Sequence, residues 1–237
     1  MTTATAPAQP RTTAALRSVS LRGPAGRLEA VVNEGAPDAP FAALLCHPHP
    51  LGGGSMHNKV IYHAMKAIND TQWGLGWPVL RFNFRGTGLS HGVHDGHAEA
   101  GDVLAALDWL ENEFRLPLVV VGFSFGAMMA LSACCSSAQT PKNIRALALL
   151  GLPTQDASGQ DFRYPELHNC TFPKLFLSGA SDQFDPGSQL AAIAAAAAQP
   201  SQLVLLPRAD HFFTGQLEPM QSALAAWLSG TLKEQLQ

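Results

Sequence analysis

Three residues, far apart in the chain, have the types and the order needed for nucleophilic acyl transfer: Ser124, Asp182 and His211. Ser124 lies in Gly122-Phe-Ser-Phe-Gly126, between an apolar β-branched run (Leu118 to Val121) and an Ala/Met/Leu-rich stretch from Ala127. A strand, a one-residue corner and a helix suit that composition. The flanking glycines remove the Cβ atoms that would collide in so tight a corner. A serine held there is a nucleophile elbow, its hydroxyl exposed at the carboxyl end of a strand. The competing reading is a Gly-Ser loop that matches by chance.

A serine of this kind needs a base, an orienting carboxylate and donors for an oxyanion. His211, in Pro207-Arg-Ala-Asp-His-Phe-Phe213, follows an apolar run and precedes a helical one, as a general base should. Asp182 and Asp185 both follow the run Lys174 to Ser178. Asp182 is nearer the strand end, whereas Asp185 suits the cap of a helix starting near Gly187. Asp210 is a neighbour of the histidine that points elsewhere. One oxyanion donor is expected from the Phe125 N–H. The other is expected from His47-Pro-His-Pro-Leu-Gly-Gly-Gly-Ser-Met56, where Pro48 and Pro50 have no N–H. That leaves His49, Leu51 or Gly52, with His49 favoured and Leu51 second. His47 is expected to brace the loop. A His47-x-His49 metal site lacks a third ligand, and the glycines lack the Gly-Lys-Ser/Thr ending of a phosphate loop. Neither a metal nor an organic cofactor is expected. His91, His94 and His97 read as a polar loop. Phe123, Phe184 and Phe212 are candidate substrate-binding walls, with Leu51, Phe125 and Phe213 as further wall candidates.

These residues need a scaffold of alternating strands and helices. The chain has 237 residues, 46% hydrophobic and 14% charged, enough for one large domain with a substantial core. Residues 1–15 read as a Thr/Ala/Pro-rich tail without a secretory h-region, and residues 16–237 as one domain. Strands are expected at Leu16–Leu21 and Leu28–Val32 (a hairpin turned at Gly23–Gly26), Phe41–Cys46, Pro78–Phe84, Leu118–Val121, Ile144–Leu150, Lys174–Ser178 and Gln202–Leu206. Helical spacing covers His57–Asn69, Ala98–Phe114, the stretch after Ala127, Ser188–Ala198 and Leu217–Leu228. After the hairpin, this alternation calls for an α/β fold with a mostly parallel sheet covered on both faces, and a site beyond the strands' carboxyl ends. The interval from Gly151 to Pro173 can hold one short helix at most, so no lid is expected.

The net charge of -3 gives no footprint for nucleic acid, and no apolar run approaches membrane-spanning length. Cys46, Cys134, Cys135 and Cys170 show no paired spacing and read as free, buried thiols in a cytoplasmic protein.

Gly122-Phe-Ser-Phe-Gly126, Gly179-Ala-Ser-Asp182 and Asp210-His-Phe-Phe213 together resemble the α/β-hydrolase superfamily, over about Leu16 to Leu228. The segments His47-Pro-His-Pro-Leu-Gly-Gly and Arg81-Phe-Asn-Phe-Arg-Gly-Thr-Gly-x-Ser90 are similar to those of small, cap-less bacterial members related to dienelactone hydrolases and esterases. The serine nucleophile departs from the cysteine of dienelactone hydrolases proper, which favours ordinary esters. The resemblance implies an eight-stranded sheet with its second strand antiparallel, and a small-molecule ester as substrate. Thioesterase, peptidase and perhydrolase activities share the same machinery, and a binding protein without turnover could share the fold. Oligomeric state is left open.

Overall fold

The apolar runs of the sequence become the interior strands of one sheet. The computed structural model describes residues 15–70, 75–136, 142–156, 158–185 and 189–233. The expected tail lies outside these residues, apart from Ala15, whose carbonyl accepts the Glu34 N–H. The strands are β1 (Leu16–Gly23), β2 (Gly26–Asn33), β3 (Ala42–Cys46), β4 (Val79–Phe82), β5 (Leu118–Phe123), β6 (Ile144–Leu150), β7 (Lys174–Gly179) and β8 (Ser201–Leu206). The helices are α1 (Lys59–Asn69), α2 (Glu99–Phe114), α3 (Phe125–Ser136), α4 (Gln189–Ala196) and α5 (Leu217–Leu232).

The sheet order is β1-β2-β4-β3-β5-β6-β7-β8. β2 runs antiparallel to both β1 and β4, and β3 to β8 are mutually parallel. The fold is therefore the expected eight-stranded α/β-hydrolase fold with an antiparallel second strand. Crossovers between parallel strands must lie over the faces. α1 and α5 cover one face, packing with Phe41, Val119, Val121 and Leu175; α2, α3 and α4 cover the other, with Leu44, Val120 and Phe176. Alternate residues of each strand feed opposite cores.

β5 is central and buried along its whole length. Val119, Val120 and Val121 are fully buried, each contributing about 1.5–3 kcal/mol relative to exposure. That burial makes β5 a rigid support for the corner that follows. The outer strands β1 and β8 are the least buried, and Arg17 and Arg22 blunt the β1 edge.

The interval between β6 and β7 contains one isolated bridge (Gln155 with Asp161) and one 3-10 turn (Pro165–His168) among the described residues. No cap domain is built there. Among the described residues no helix is long and apolar enough to cross a membrane.

The cysteine reading needs correction. Cys135, in α3, is disulfide-bonded to Cys170 in the turn before β7, while Cys46 and Cys134 are free and buried. Folding brings together two residues 35 positions apart, which local spacing does not reveal.

Candidate active site

Ser124 takes φ 55°, a left-handed conformation that costs a non-glycine residue free energy. Two sets of hydrogen bonds hold it there. Its N–H donates to Leu150 O of β6 at 2.9 Å. Its carbonyl accepts from Ala127 N–H at 2.9 Å and Met128 N–H at 3.2 Å, starting α3. The two glycines are required by contact. A Cβ on Gly122 would run into the backbone of Gly126 and Ala127, and one on Gly126 into the carbonyls of Cys46 and His47. Gly126 thus lets the amino end of α3 rest on the end of β3, where the glycine-rich loop begins.

Asp182 lies on the turn after β7, and His211 on the turn between β8 and α5. Gly179 allows the two turns to meet, since a Cβ there would strike the carbonyls of Ala209 and Asp210. His211 Nδ1 lies 2.8 and 3.0 Å from the two oxygens of Asp182, and its Nε2 lies 2.9 Å from Ser124 Oγ. Facing a carboxylate, Nδ1 carries the hydrogen, so Nε2 presents its lone pair to the Ser124 hydroxyl. His211 and Asp182 are buried, whereas Ser124 remains part-exposed. The carboxylate also accepts from Ser178 Oγ at 3.0 Å and from Phe184 N–H at 2.9 Å.

The two neighbouring aspartates do other work. Asp185 accepts from the Leu190 N–H at the start of α4 and from Thr154 Oγ1, and burial raises its pKa. Asp210 accepts from Phe212 and Thr214 N–H and shapes the turn that carries His211.

The glycine-rich loop uses most of its own donors. Leu51 N–H donates to His49 Nδ1 at 3.2 Å. Gly52 and Gly54 N–H both donate to His49 O, and Gly53 N–H to Pro50 O. Leu51 is thereby ruled out as a free donor in this conformation, and its side chain is 82% exposed at the rim. His49 N–H has no partner among the described hydrogen bonds. The Phe125 N–H opens α3, where helical N–H groups lack an intrahelical acceptor. His47 braces the loop: its Nδ1 faces Pro48 O at 2.7 Å, and its Nε2 accepts the Phe84 N–H at 3.0 Å. Burial lowers its pKa to about 4.

Phe123 is not a wall. It is fully buried, its ring centred 5.1 Å from that of His211, so it supports the imidazole from within. Phe213 and Phe125 are also interior. Phe184 is half-buried, 4.7 Å from the His211 ring, and Phe212 is 40% exposed, 5.2 Å from it. These two can meet a substrate. The sequence reading missed Ser178, whose placement at the end of β7 beside an aspartate-bearing turn was a usable signal. It also placed His94 in a merely polar loop, whereas His94 packs on His49 and Phe125. His91 and His97 are exposed, as a polar loop requires.

Comparison with known proteins agrees with this architecture. The family described as alpha/beta hydrolase fold matches residues 44–169, a span holding the glycine-rich loop and the elbow. An uncharacterized protein of Rickettsia prowazekii is 32% identical over 219 residues, covering 89% of this chain and 87% of that protein. An alpha-beta serine hydrolase homologue from Coxiella burnetii superposes with a TM-score of 0.78 at 29% identity, covering 90% of this chain and 97% of that one. A Xanthomonas campestris structure, described as a serine hydrolase without lid, gives 0.77 at 28% identity, with 97% of each chain covered. The chain belongs to the α/β-hydrolase family, and its fold is that of the cap-less serine hydrolases.

Proposed function

We propose that the protein is a serine esterase cleaving small carboxylic esters through an acyl-enzyme intermediate. The observation that carries this reading is the continuous line of contacts from Asp182 through His211 to Ser124 Oγ. The serine hydrolase descriptions of the Coxiella and Xanthomonas structures support it.

Ser124 Oγ attacks the acyl carbon while His211 Nε2 takes its proton. Asp182 keeps the imidazole in the required tautomer and stabilises the imidazolium. The tetrahedral oxyanion is received by the N–H groups of Phe125 and His49. The amino end of α3 adds its partial positive charge at the same place. The intermediate collapses, and His211 protonates the departing alkoxide. Water then attacks the acyl-enzyme, giving its proton to His211. The second tetrahedral intermediate collapses, His211 returns that proton to Ser124 Oγ as the acyl–oxygen bond breaks, and the carboxylic acid leaves. Each step balances with the substrate and one water, so no cofactor is invoked. A cytoplasmic location is in tension with the Cys135–Cys170 bond, and the proposed chemistry does not depend on it.

A fluorophosphonate probe tests the reading. The wild-type protein should be labelled on Ser124 and should hydrolyse p-nitrophenyl butyrate. Folded Ser124→Ala should be unlabelled, with turnover lower by several orders of magnitude. Turnover retained in that variant would move the chemistry to another group.

A further inference from the structure

The loop between β4 and α2 carries a histidine that the mechanism above leaves unused. The side chain of His94 is 10% exposed. Its ring meets the His49 ring edge-on at 4.7 Å and the Phe125 ring at 5.2 Å, and the His49 and Phe125 rings lie 5.0 Å apart. These three rings form one cluster. Two of them belong to the residues whose N–H groups are assigned to the oxyanion.

Glu99, the first residue of α2, lies against His94 and is fully buried. Its Oε1 is 2.6 Å from His94 Nδ1 and accepts the Asp95 N–H at 2.9 Å, while Oε2 has no hydrogen-bond partner. The His94 contact is close but out of line for a directed hydrogen bond. The nearby buried Asp102 is already occupied by Arg85, through the guanidinium at 2.7 and 3.0 Å and the backbone N–H at 3.0 Å. His94 is the ring that lies against Glu99. A buried carboxylate is costly unless it is paired, and an apolar residue would fill this space at lower cost. The pair fixes the position of the His94 ring.

The His49 ring packs on the His94 ring. His49 is exposed, it stands between two prolines, and its own side chain holds only the Leu51 N–H at 3.2 Å. The peptide that carries its N–H is held on one side by the His47 Nδ1 contact with Pro48 O at 2.7 Å, and the Gly52 and Gly54 N–H groups donate to His49 O; packing on His94 and Phe125 fixes the ring that projects from it.

We propose that His94, anchored by Glu99, is a positioning residue that holds the His49 N–H in register with the Phe125 N–H, so that the oxyanion hole is formed before substrate arrives. The inference rests on the esterase reading above. Donors already in place cost no reorganisation at the moment of reaction, and a small displacement of one weakens catalysis more than binding.

Three variants test it. His94→Gln keeps a donor for Glu99 but removes the ring. His94→Ala combined with Glu99→Gln removes the ring and the buried carboxylate together. His94→Phe combined with Glu99→Gln keeps a ring without the carboxylate contact. In the first two, kcat for p-nitrophenyl butyrate should fall about ten- to a hundredfold with KM nearly unchanged. Affinity for a boronic acid that forms a tetrahedral adduct on Ser124 should fall in parallel. The phenylalanine variant should recover most of the loss. A purely structural role would lower the melting temperature without the kcat-against-KM split or the recovery by phenylalanine. Unchanged kcat and boronate affinity in either folded variant lacking the ring would overturn the proposal while leaving the esterase reading intact. A wild-type protein that is neither labelled nor active would overturn both.

Discussion

Ser178 Oγ lies 3.0 Å from Asp182 Oδ2, the same oxygen that faces His211 Nδ1 at 2.8 Å. A residue inside β7 thus fixes the rotation of a carboxylate on the turn beyond it. A hydrogen bond to a charged group contributes about 1.5–3 kcal/mol, so Ser178→Ala should lower the unfolding free energy by about that much. Urea denaturation measures it. With the Phe184 N–H still in place, turnover should fall only several-fold; an unchanged rate would mean that the backbone donor alone orients the acid.

Asp182→Asn should act far more strongly. The amide can donate to Nδ1, which favours the tautomer with its hydrogen on Nε2 and leaves Ser124 without a base. A loss of about 10⁴ in kcat is expected where an orienting aspartate is replaced in this way. Asp185→Asn keeps an acceptor for the Leu190 N–H, so turnover should change little. Steady-state kinetics on both variants decides between the two aspartates, and the reverse outcome would transfer the acid role to Asp185.

The sequence made the site legible where chemistry demands a fixed local form. The elbow needs Gly122 and Gly126, and the order Ser124, Asp182, His211 follows from strand succession. The strands were legible because buried runs such as Leu118–Val121 have no polar interruptions. What was not legible depends on packing between distant segments. Phe123 alternates with Ser124 along the chain, yet its ring falls inward beneath His211. Leu51 was a reasonable donor until the folded loop turned His49 Nδ1 toward its N–H. Cys135 and Cys170 meet only because α3 packs against the turn that precedes β7.

That disulfide gives a measurable consequence. Closing a loop across a separation of 35 residues removes chain entropy from the unfolded state, about 4 kcal/mol in the simplest treatment. Cys135→Ser should therefore lower the midpoint of thermal unfolding substantially. Thiol titration in denaturant should find Cys46 and Cys134 without reductant, and all four cysteines after reduction. Four free thiols before reduction would show that the purified protein does not hold the bond.

His47 gives the protein an acid-sensitive joint. The ring donates from Nδ1 to Pro48 O and accepts the Phe84 N–H on Nε2, so a second proton would face that N–H directly. Burial, aided by the charge of His94 and opposed by the Pro48 bond, lowers the pKa from 6.5 to about 4. Between these values the unfolded chain takes up a proton that the folded chain refuses. The stabilisation is fully present above about pH 6.5 and is lost as the pH falls toward 4, on the order of 3 kcal/mol in all. Denaturation curves from pH 7 to pH 4 should show this loss. His47→Gln retains a donor and an acceptor but does not titrate, so it should flatten this part of the curve; the same slope in that variant would assign the effect to other groups.

The last prediction concerns which esters reach Ser124. Opening and closing over a substrate requires a segment with its own apolar face and few ties to the body of the protein. The interval between β6 and β7 has the opposite character. Thr154 N–H and Gln155 N–H both donate to Phe184 O, and the Tyr164 hydroxyl donates to Pro153 O at 2.6 Å. Asp156 closes a tight turn through Ser158 and Gln160. The only helical piece among the described residues is the turn at Pro165–His168, beside α3 and fastened near Cys170. Leu51, Val93 and Phe212 are 82%, 80% and 40% exposed, so the apolar surface near the site faces water without a cover. Such a site can hold a short acyl group against Phe184 and Phe212, and among the described residues the apolar side chains beside it are open to water. Butyrate and acetate esters of p-nitrophenol should be hydrolysed faster than the palmitate. The rate should show no jump when a lipid substrate passes its critical micellar concentration. A jump there, or a clear preference for the palmitate, would require a mobile cover that this tightly tied interval does not provide.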